Sequence, residues 1–193
     1  MSTIAAQSIG DDAQVADCIG KIGISARFLL SLINDILDMS RIESGKMLLA
    51  TEPYALPDGV RDISEIIRPL CAAKEQRYDV EISGIRHEFI LGDQVRLRQV
   101  LLNILNNANK YTPPGGRIRF AAVEKPSQVP GTALYQFTIA DNGIGIAPEK
   151  LEEIFRPFSR EINSTVNQVE GTGLGLTIVK SIVDARGGSI HVD

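Results

Sequence analysis

Apolar and polar positions divide the chain into two textures. From residue 11 to about Glu43, Val15, Ile19, Ile22, Ala26, Leu29, Ile33 and Ile36 recur at alternating spacings of four and three. That rhythm predicts one long helix whose apolar seam faces a partner helix. Asp11 and Asp12 are N-cap candidates, and no proline interrupts the run. Gly20 and Gly23 inside it cost about 1 kcal/mol each relative to alanine, so the helix leans on packing in a bundle. Residues 1–8, apolar at Ile4 and small at Ala5 and Ala6, read as the tail of a preceding antiparallel helix, with Ile9 to Asp12 as the turn.

Ser44-Gly45 closes the helix, and from Lys46 the pattern changes to strands alternating with amphipathic helices. A boundary at residues 44–50 follows, with a partial helical hairpin over 1–45 and a second domain over 46–193. In that domain strands are expected near 47–52, 78–83, 88–91, 117–124 and 133–140, with another from 188 onward. Helices are expected over 57–76, 93–110 and 173–186, with a short one near 148–155. The fold class is α+β: a coiled-coil or helical-hairpin segment, then an α/β sandwich whose mixed sheet is covered on one face by helices. The sequence stops at Asp193 within the last expected strand, which implies a missing partner strand or an unusual edge.

With 193 residues, 44% hydrophobic and 23% charged, the chain can bury a core without staples, and its composition argues against disorder. The 20 basic and 24 acidic residues give a net charge of -4, and no basic stripe is interleaved with aromatics, which argues against a nucleic-acid partner. Cys18 and Cys71 form no CxxC, and His87 and His191 are the only histidines, so no metal-site spacing exists and reduced, intracellular thiols are expected. No apolar run reaches the roughly 18 residues of a membrane span, and the N-terminus does not read as a signal sequence.

Three segments are candidates for chemistry. On the helix from Asp93 to Lys110, Leu97, Leu101, Ile104, Leu105 and Ala108 share one side, while Arg96, Asn103, Asn107 and Lys110 share the other. Such a polar stripe is either a solvated face or a set of amide oxygens and an ammonium suited to hydrated magnesium and phosphate. Asp141-Asn142-Gly143-Ile144-Gly145 follows an apolar strand; it is good turn chemistry, and it also allows close backbone approach to a ligand. Gly171-Thr172-Gly173-Leu174-Gly175 opens a helix after a polar loop. A helix N-terminus there offers free N–H groups to phosphates, although neither the dinucleotide-binding nor the P-loop spacing is met.

In their order and spacing these segments resemble the histidine protein kinases. GDQVRLRQVLLNILNNANKYT is similar to the family's asparagine box, DNGIGI to its first glycine box, IFRPF with Phe155 and Phe158 to its phenylalanine box, and GTGLGL to its second glycine box. LINDILDMSRIESGK, from Leu32 to Lys46, resembles the helix end and linker of hybrid sensor kinases. The resemblance implies ATP and Mg2+ as cofactors. Asn107 would ligate magnesium, Asn103 and Lys110 would contact phosphate or the metal's waters, and Tyr111 would lie against the nucleotide. Asp141 would take the adenine amine, and Gly143 and Gly145 would let the backbone approach the base. Gly171, Gly173 and Gly175 would meet the phosphates with Thr172 nearby, and Ile146, Leu174 and Arg160 complete the implied nucleotide-binding set.

The family's acceptor histidine, in a box like SHEIRTP, has no counterpart here. His87-Glu88 is the only His-Glu pair and precedes a strand of the second domain, and His191 falls in the expected terminal strand. The resemblance therefore implies a kinase fragment that binds Mg-ATP without labelling itself. Its implied partners are the acceptor-histidine helix of the parent kinase, a response-regulator receiver domain and a second copy in a homodimer. Neither nucleic acid nor membrane is expected to touch the fragment, and a cytoplasmic location is implied. Gyrase-type relatives carry a glutamate where this chain has Asn103, which cannot act as a general base, so hydrolysis should be slow. Two other readings stand: an ATP-driven switch of the same fold, marked by turnover without a phosphoprotein, and a dimerisation module whose glycine boxes are turns, marked by failure to bind nucleotide.

Overall fold

The computed structural model describes residues 11–159 and 172–193. The chain divides into two compact units, Met1–Met47 and Leu48–Asp193. In the first, helix α1 spans Asp12–Glu43. Asp11 caps it, accepting the Gln14 amide at 3.0 Å, and the amides of Gly45 and Lys46 return to the Ile42 and Arg41 carbonyls at its end. Of the predicted seam, Ile19, Ile22, Leu29, Ile33 and Ile36 are exposed. The expected tail over residues 1–8 and the first half of the turn, residues 9–10, lie outside the described residues.

The second unit runs β1 (Glu52–Ala55), α2 (Leu56–Ala73), β2 (Arg77–Ser83), β3 (Phe89–Gly92), α3 (Gln94–Tyr111), β4 (Arg117–Lys125), β5 (Leu134–Asp141), a 3-10 turn at Pro148–Lys150 and α4 (Gly175–Ala185). The mixed sheet has the order β2-β4-β5. β2 runs parallel to β4, with Tyr78 opposite Ile118 and Val80 opposite Phe120, and β4 runs antiparallel to β5, with Phe120 opposite Ile139 and Ala122 opposite Phe137. β1 and β3 form a separate antiparallel ribbon.

Strand alternation sorts the sheet's two faces. Tyr78, Ile118, Phe120 and Ala122 turn inward onto Val60, Ile63, Ile67 and Cys71 of α2 and Leu101, Leu105 and Ala108 of α3. Arg77, Asp79, Glu81 and Arg119 face outward and pair as Arg77–Asp79 and Arg119–Glu81. Helices on one face of a mixed sheet are the expected α+β arrangement. Asp93 caps α3 by accepting the Arg96 amide at 2.9 Å, and its second oxygen accepts the Ala50 amide at 2.9 Å. The α3 start is thereby fixed to the segment before β1.

Three expectations are corrected. The first strand lies at Glu52–Ala55 rather than 47–52, because its position is set by pairing with β3, from Glu52 opposite Gly92 to Ala55 opposite Phe89. Residues 148–155 are not a helix: one 3-10 turn leads into turns bonded mostly from each amide to the carbonyl three residues back. Pro157 opposes helical geometry in the residue before it, and Phe158 has a positive φ of 60°. No strand forms over residues 188–193, among the described residues, and His191 is therefore not in one. An extended segment without a paired neighbour lacks the ladder that would hold it.

Candidate functional site

Helix α3 places Asn103, Asn107 and Lys110 on the stripe away from Leu101, Leu105 and Ala108, which are buried. All three polar residues are half-buried rather than fully solvated. The Lys110 ammonium lies 4.8 Å from the centre of the Tyr111 ring, a cation–π arrangement. Asn103 Nδ2 donates to the Gly175 carbonyl at 3.4 Å. Two segments 72 positions apart in sequence are thus joined at the start of α4.

At the carboxyl end of α3, the Tyr111 carbonyl accepts the Ile144 amide at 3.3 Å. Gly143 passes so close that a Cβ there would sit 2.7 Å from that carbonyl oxygen and 2.7 Å from Asp141 Oδ1. Gly145 has φ +71° with open space where its Cβ would be. Asp141 is exposed at the end of β5, and its Oδ1 accepts the Gly143 amide at 2.9 Å. A carboxylate has lone pairs to spare after one such bond. Asn142 Oδ1 accepts the Arg117 amide at 2.6 Å and its own amide donates to the Arg117 carbonyl, so the turn is stitched to β4. Ile146 is exposed beyond it.

The phenylalanine-box segment meets the second glycine segment directly. The Phe158 amide donates to the Gly173 carbonyl at 3.0 Å, and the Phe158 ring is 70% exposed. Thr172 Oγ1 accepts the Leu174 amide at 3.1 Å. Leu174 is 1% exposed, and its backbone carbonyl accepts the Ile178 amide at 3.0 Å. Arg160 and Gly171 lie outside the described residues.

His87 stands apart from this cluster. Its Nδ1 lies 2.7 Å from Glu124 Oε1, and Glu124 Oε2 accepts the backbone amides of Arg86 and His87. Tyr135 donates its hydroxyl to the His87 carbonyl at 2.6 Å. The two backbone amides, His87 first, pull the Glu124 carboxyl down to about 2. Burial pushes the Tyr135 hydroxyl up from its ordinary value.

A family of known proteins shares the sequence pattern of this arrangement. Residues 92–193 match the family described as histidine kinase-, DNA gyrase B-, and HSP90-like ATPase. The chain belongs to this ATPase family. It is similar to the autoinducer 2 sensor kinase/phosphatase LuxQ of Vibrio parahaemolyticus, with 37% identity over 97% of this chain and 22% of the relative. It is also similar to the sensor protein GacS of Pseudomonas syringae pv. syringae, with 37% identity over 92% of this chain and 19% of the relative. The chain therefore spans about a fifth of the length of these curated relatives. Among solved structures, full-length ShkA in complex with AMPPNP superposes with a TM-score of 0.73 at 32% identity, covering 90% of this chain and 34% of that one.

Within the ATPase fold, the roles of Asn142 and of the α2–β2 corner escape a reading of the sequence. Asn142 reads as turn chemistry, and its bonds to Arg117 become visible only when β4 and β5 are paired. No helix among the described residues is long and apolar enough to cross a membrane.

Proposed function

We propose that this chain binds Mg-ATP and supplies the catalytic part of a sensor histidine kinase, transferring the γ-phosphoryl group to a histidine outside the chain for relay to a response-regulator aspartate. The observation that carries this reading is the convergence on α3: Asn103 bonds Gly175 at mid-helix, and Tyr111 bonds Ile144 at the carboxyl end. These contacts are about 12 Å apart along a helix, a spacing that suits a ligand with phosphates at one end and a base at the other.

Asp141 accepts the adenine amine, and Gly143 and Gly145 let the backbone run under the base. Asn107, a half-buried neutral amide, offers an oxygen fit for a hard, hydrated magnesium ion. When bound, that ion neutralises phosphate charge. Lys110 and Asn103 face phosphate, and the amides of Gly173 and Gly175 meet it at the start of α4. In the transfer, the acceptor imidazole lone pair forms a P–N bond while the electron pair of the bond to the bridging oxygen leaves with ADP. Such catalysis rests on positioning and charge neutralisation. Asn103 offers no carboxylate to activate water. The exposed seam of α1 supports a homodimer in the intact protein.

Calorimetric titration with a non-hydrolysable ATP analogue and magnesium tests the site. Saturable binding that Asp141→Ala abolishes is expected; no binding by the folded chain overturns the reading. With labelled ATP and a separate acceptor-histidine hairpin, acid-labile phosphate is expected on the hairpin alone. Phosphate on His87 would contradict an acceptor outside the chain.

A further inference from the structure

The last turn of α3 is gripped from a corner that contributes no group to the site described above. After α2 ends, Lys74 and Gln76 reach across to the carboxyl end of α3. Lys74 Nζ donates to the Asn109 carbonyl at 2.7 Å and the Lys110 carbonyl at 3.2 Å. Gln76 Nε2 donates to the Asn109 carbonyl at 3.0 Å and the Thr112 carbonyl at 2.6 Å. Gln76 Oε1 accepts from Asn109 Nδ2 at 2.7 Å. The amide of Gln76 thus uses both its N–H groups and its oxygen, while the residue is only 6% exposed. The opposite amide orientation would put Oε1 against two carbonyl oxygens, so the network fixes the assignment.

A helix leaves its final carbonyls without intrahelical partners, and its carboxyl end favours a cation. Lys74 and Gln76 satisfy both demands on the turn that carries Lys110 and Tyr111. The same corner holds the chain beyond α3: the Gly115 amide donates to the Lys74 carbonyl, and the Arg77 amide donates to the Gly116 carbonyl. On its other side this turn offers the Tyr111 carbonyl to Ile144. A change in the pitch of one turn therefore moves Lys110, Tyr111 and the Gly143–Ile144 backbone together.

We propose that Gln76, assisted by Lys74, is a positioning residue for the nucleotide site: it sets the last turn of α3 and, through Tyr111, the place of the 143–144 turn. This inference rests on the nucleotide reading above, but its structural half does not need a ligand. Gln76→Leu removes all three side-chain bonds, and Lys74→Met keeps the stem while removing two. Ile63→Val, in the core of α2, serves as a destabilised control.

Amide hydrogen exchange at Ile144 and calorimetric titration with an ATP analogue and magnesium read the effect. Both position variants are expected to speed exchange at Ile144 and to weaken analogue binding, by roughly tenfold for Gln76→Leu and about threefold for Lys74→Met, the scale of one or two lost hydrogen bonds. Ile63→Val is expected to lower the melting temperature with both readouts unchanged. Unaltered Ile144 exchange and unaltered affinity in folded Gln76→Leu overturn the proposal; if that variant does not fold, Lys74→Met decides in the same way. A parent chain that binds no analogue overturns the nucleotide reading instead, and the Ile144 exchange still tests the mechanical link.

Discussion

The carbonyl oxygen of Tyr111 accepts the Ile144 amide at 3.3 Å, while Gly143 leaves only 2.7 Å between that oxygen and the place a Cβ would take. The contact is backbone against backbone, so neither side can yield by a rotamer change. The carboxyl end of α3 and the turn after β5 therefore behave as one piece, although 33 positions separate Tyr111 from Ile144 (144 − 111 = 33).

Alanine at the two glycines of this turn should act differently. Gly143→Ala meets the Tyr111 carbonyl and Asp141 Oδ1, so the turn must move away from α3. A stability loss of about 1–3 kcal/mol is expected from such overpacking, with analogue affinity falling as Asp141 shifts. Gly145→Ala meets no atom but must hold φ +71°, which costs about 1–2 kcal/mol. Its affinity should nevertheless fall by roughly tenfold, about 1.4 kcal/mol, because the proposed site has the base approach through that open space. Thermal melts and titrations separate the two effects, and unchanged affinity in Gly145→Ala would remove this glycine from the site.

Asn107→Ala tests the proposed magnesium ligand. The residue is half-buried on the polar stripe, so truncation should cost no more than about 0.5 kcal/mol of stability, the scale of surface substitutions. Magnesium should tighten analogue binding to the parent chain and make little difference to the variant. Titrations with and without the ion check this, and a magnesium effect of equal size in both chains assigns the metal to other groups.

Helices were the legible part of this fold because their signals are local. Asp11, an N-cap candidate, accepts the Gln14 amide, and Asp93, where the helix over 93–110 is expected to begin, accepts the Arg96 amide. The stripe of Asn103, Asn107 and Lys110 follows from residue spacing alone. The start of β1 is not legible locally because its register with β3 depends on residues up to 40 positions away (92 − 52 = 40), as in Glu52 opposite Gly92. The grip of Gln76 on Asn109 and Thr112 was invisible for the same reason. A buried glutamine carries no periodic signal, and its partners are carbonyls that every residue possesses.

Glu124 makes the β2–β3 connection sensitive to acid. Its carboxyl titrates near 2 in the folded chain against an ordinary 4.5, so the unfolded state binds more protons between those values and stability falls as pH drops through that window. The contribution is complete above the ordinary value and gone below about 2. Glu124→Gln should therefore lower the melting temperature most at neutral pH, with the gap from the parent chain closing steadily from about pH 5 to about pH 2. Melting curves across that range test the assignment. A gap independent of pH would mean that the carboxylate's charge is not what holds the Arg86 and His87 amides.

The seam of α1 leads to a prediction about association. Ile19, Ile22, Leu29, Ile33 and Ile36 are exposed, each between 38% and 61%, and fully burying one such side chain is worth about 1.5–3 kcal/mol. Several of them in a row exceed what an isolated soluble helix ordinarily leaves in water. The chain should therefore associate as its concentration rises, and sedimentation or light scattering should show a mass above that of one chain. Ile33→Asp with Ile36→Asp places two charges in the seam and should shift the population to monomer, since a buried charge without a partner is costly. Neither substitution lies in the unit Leu48–Asp193, so ATP-analogue affinity should stay at the parent value. Association that survives the double substitution would move the contact off this seam, and a parent chain that stays monomeric at high concentration would deny the seam a role in pairing two copies.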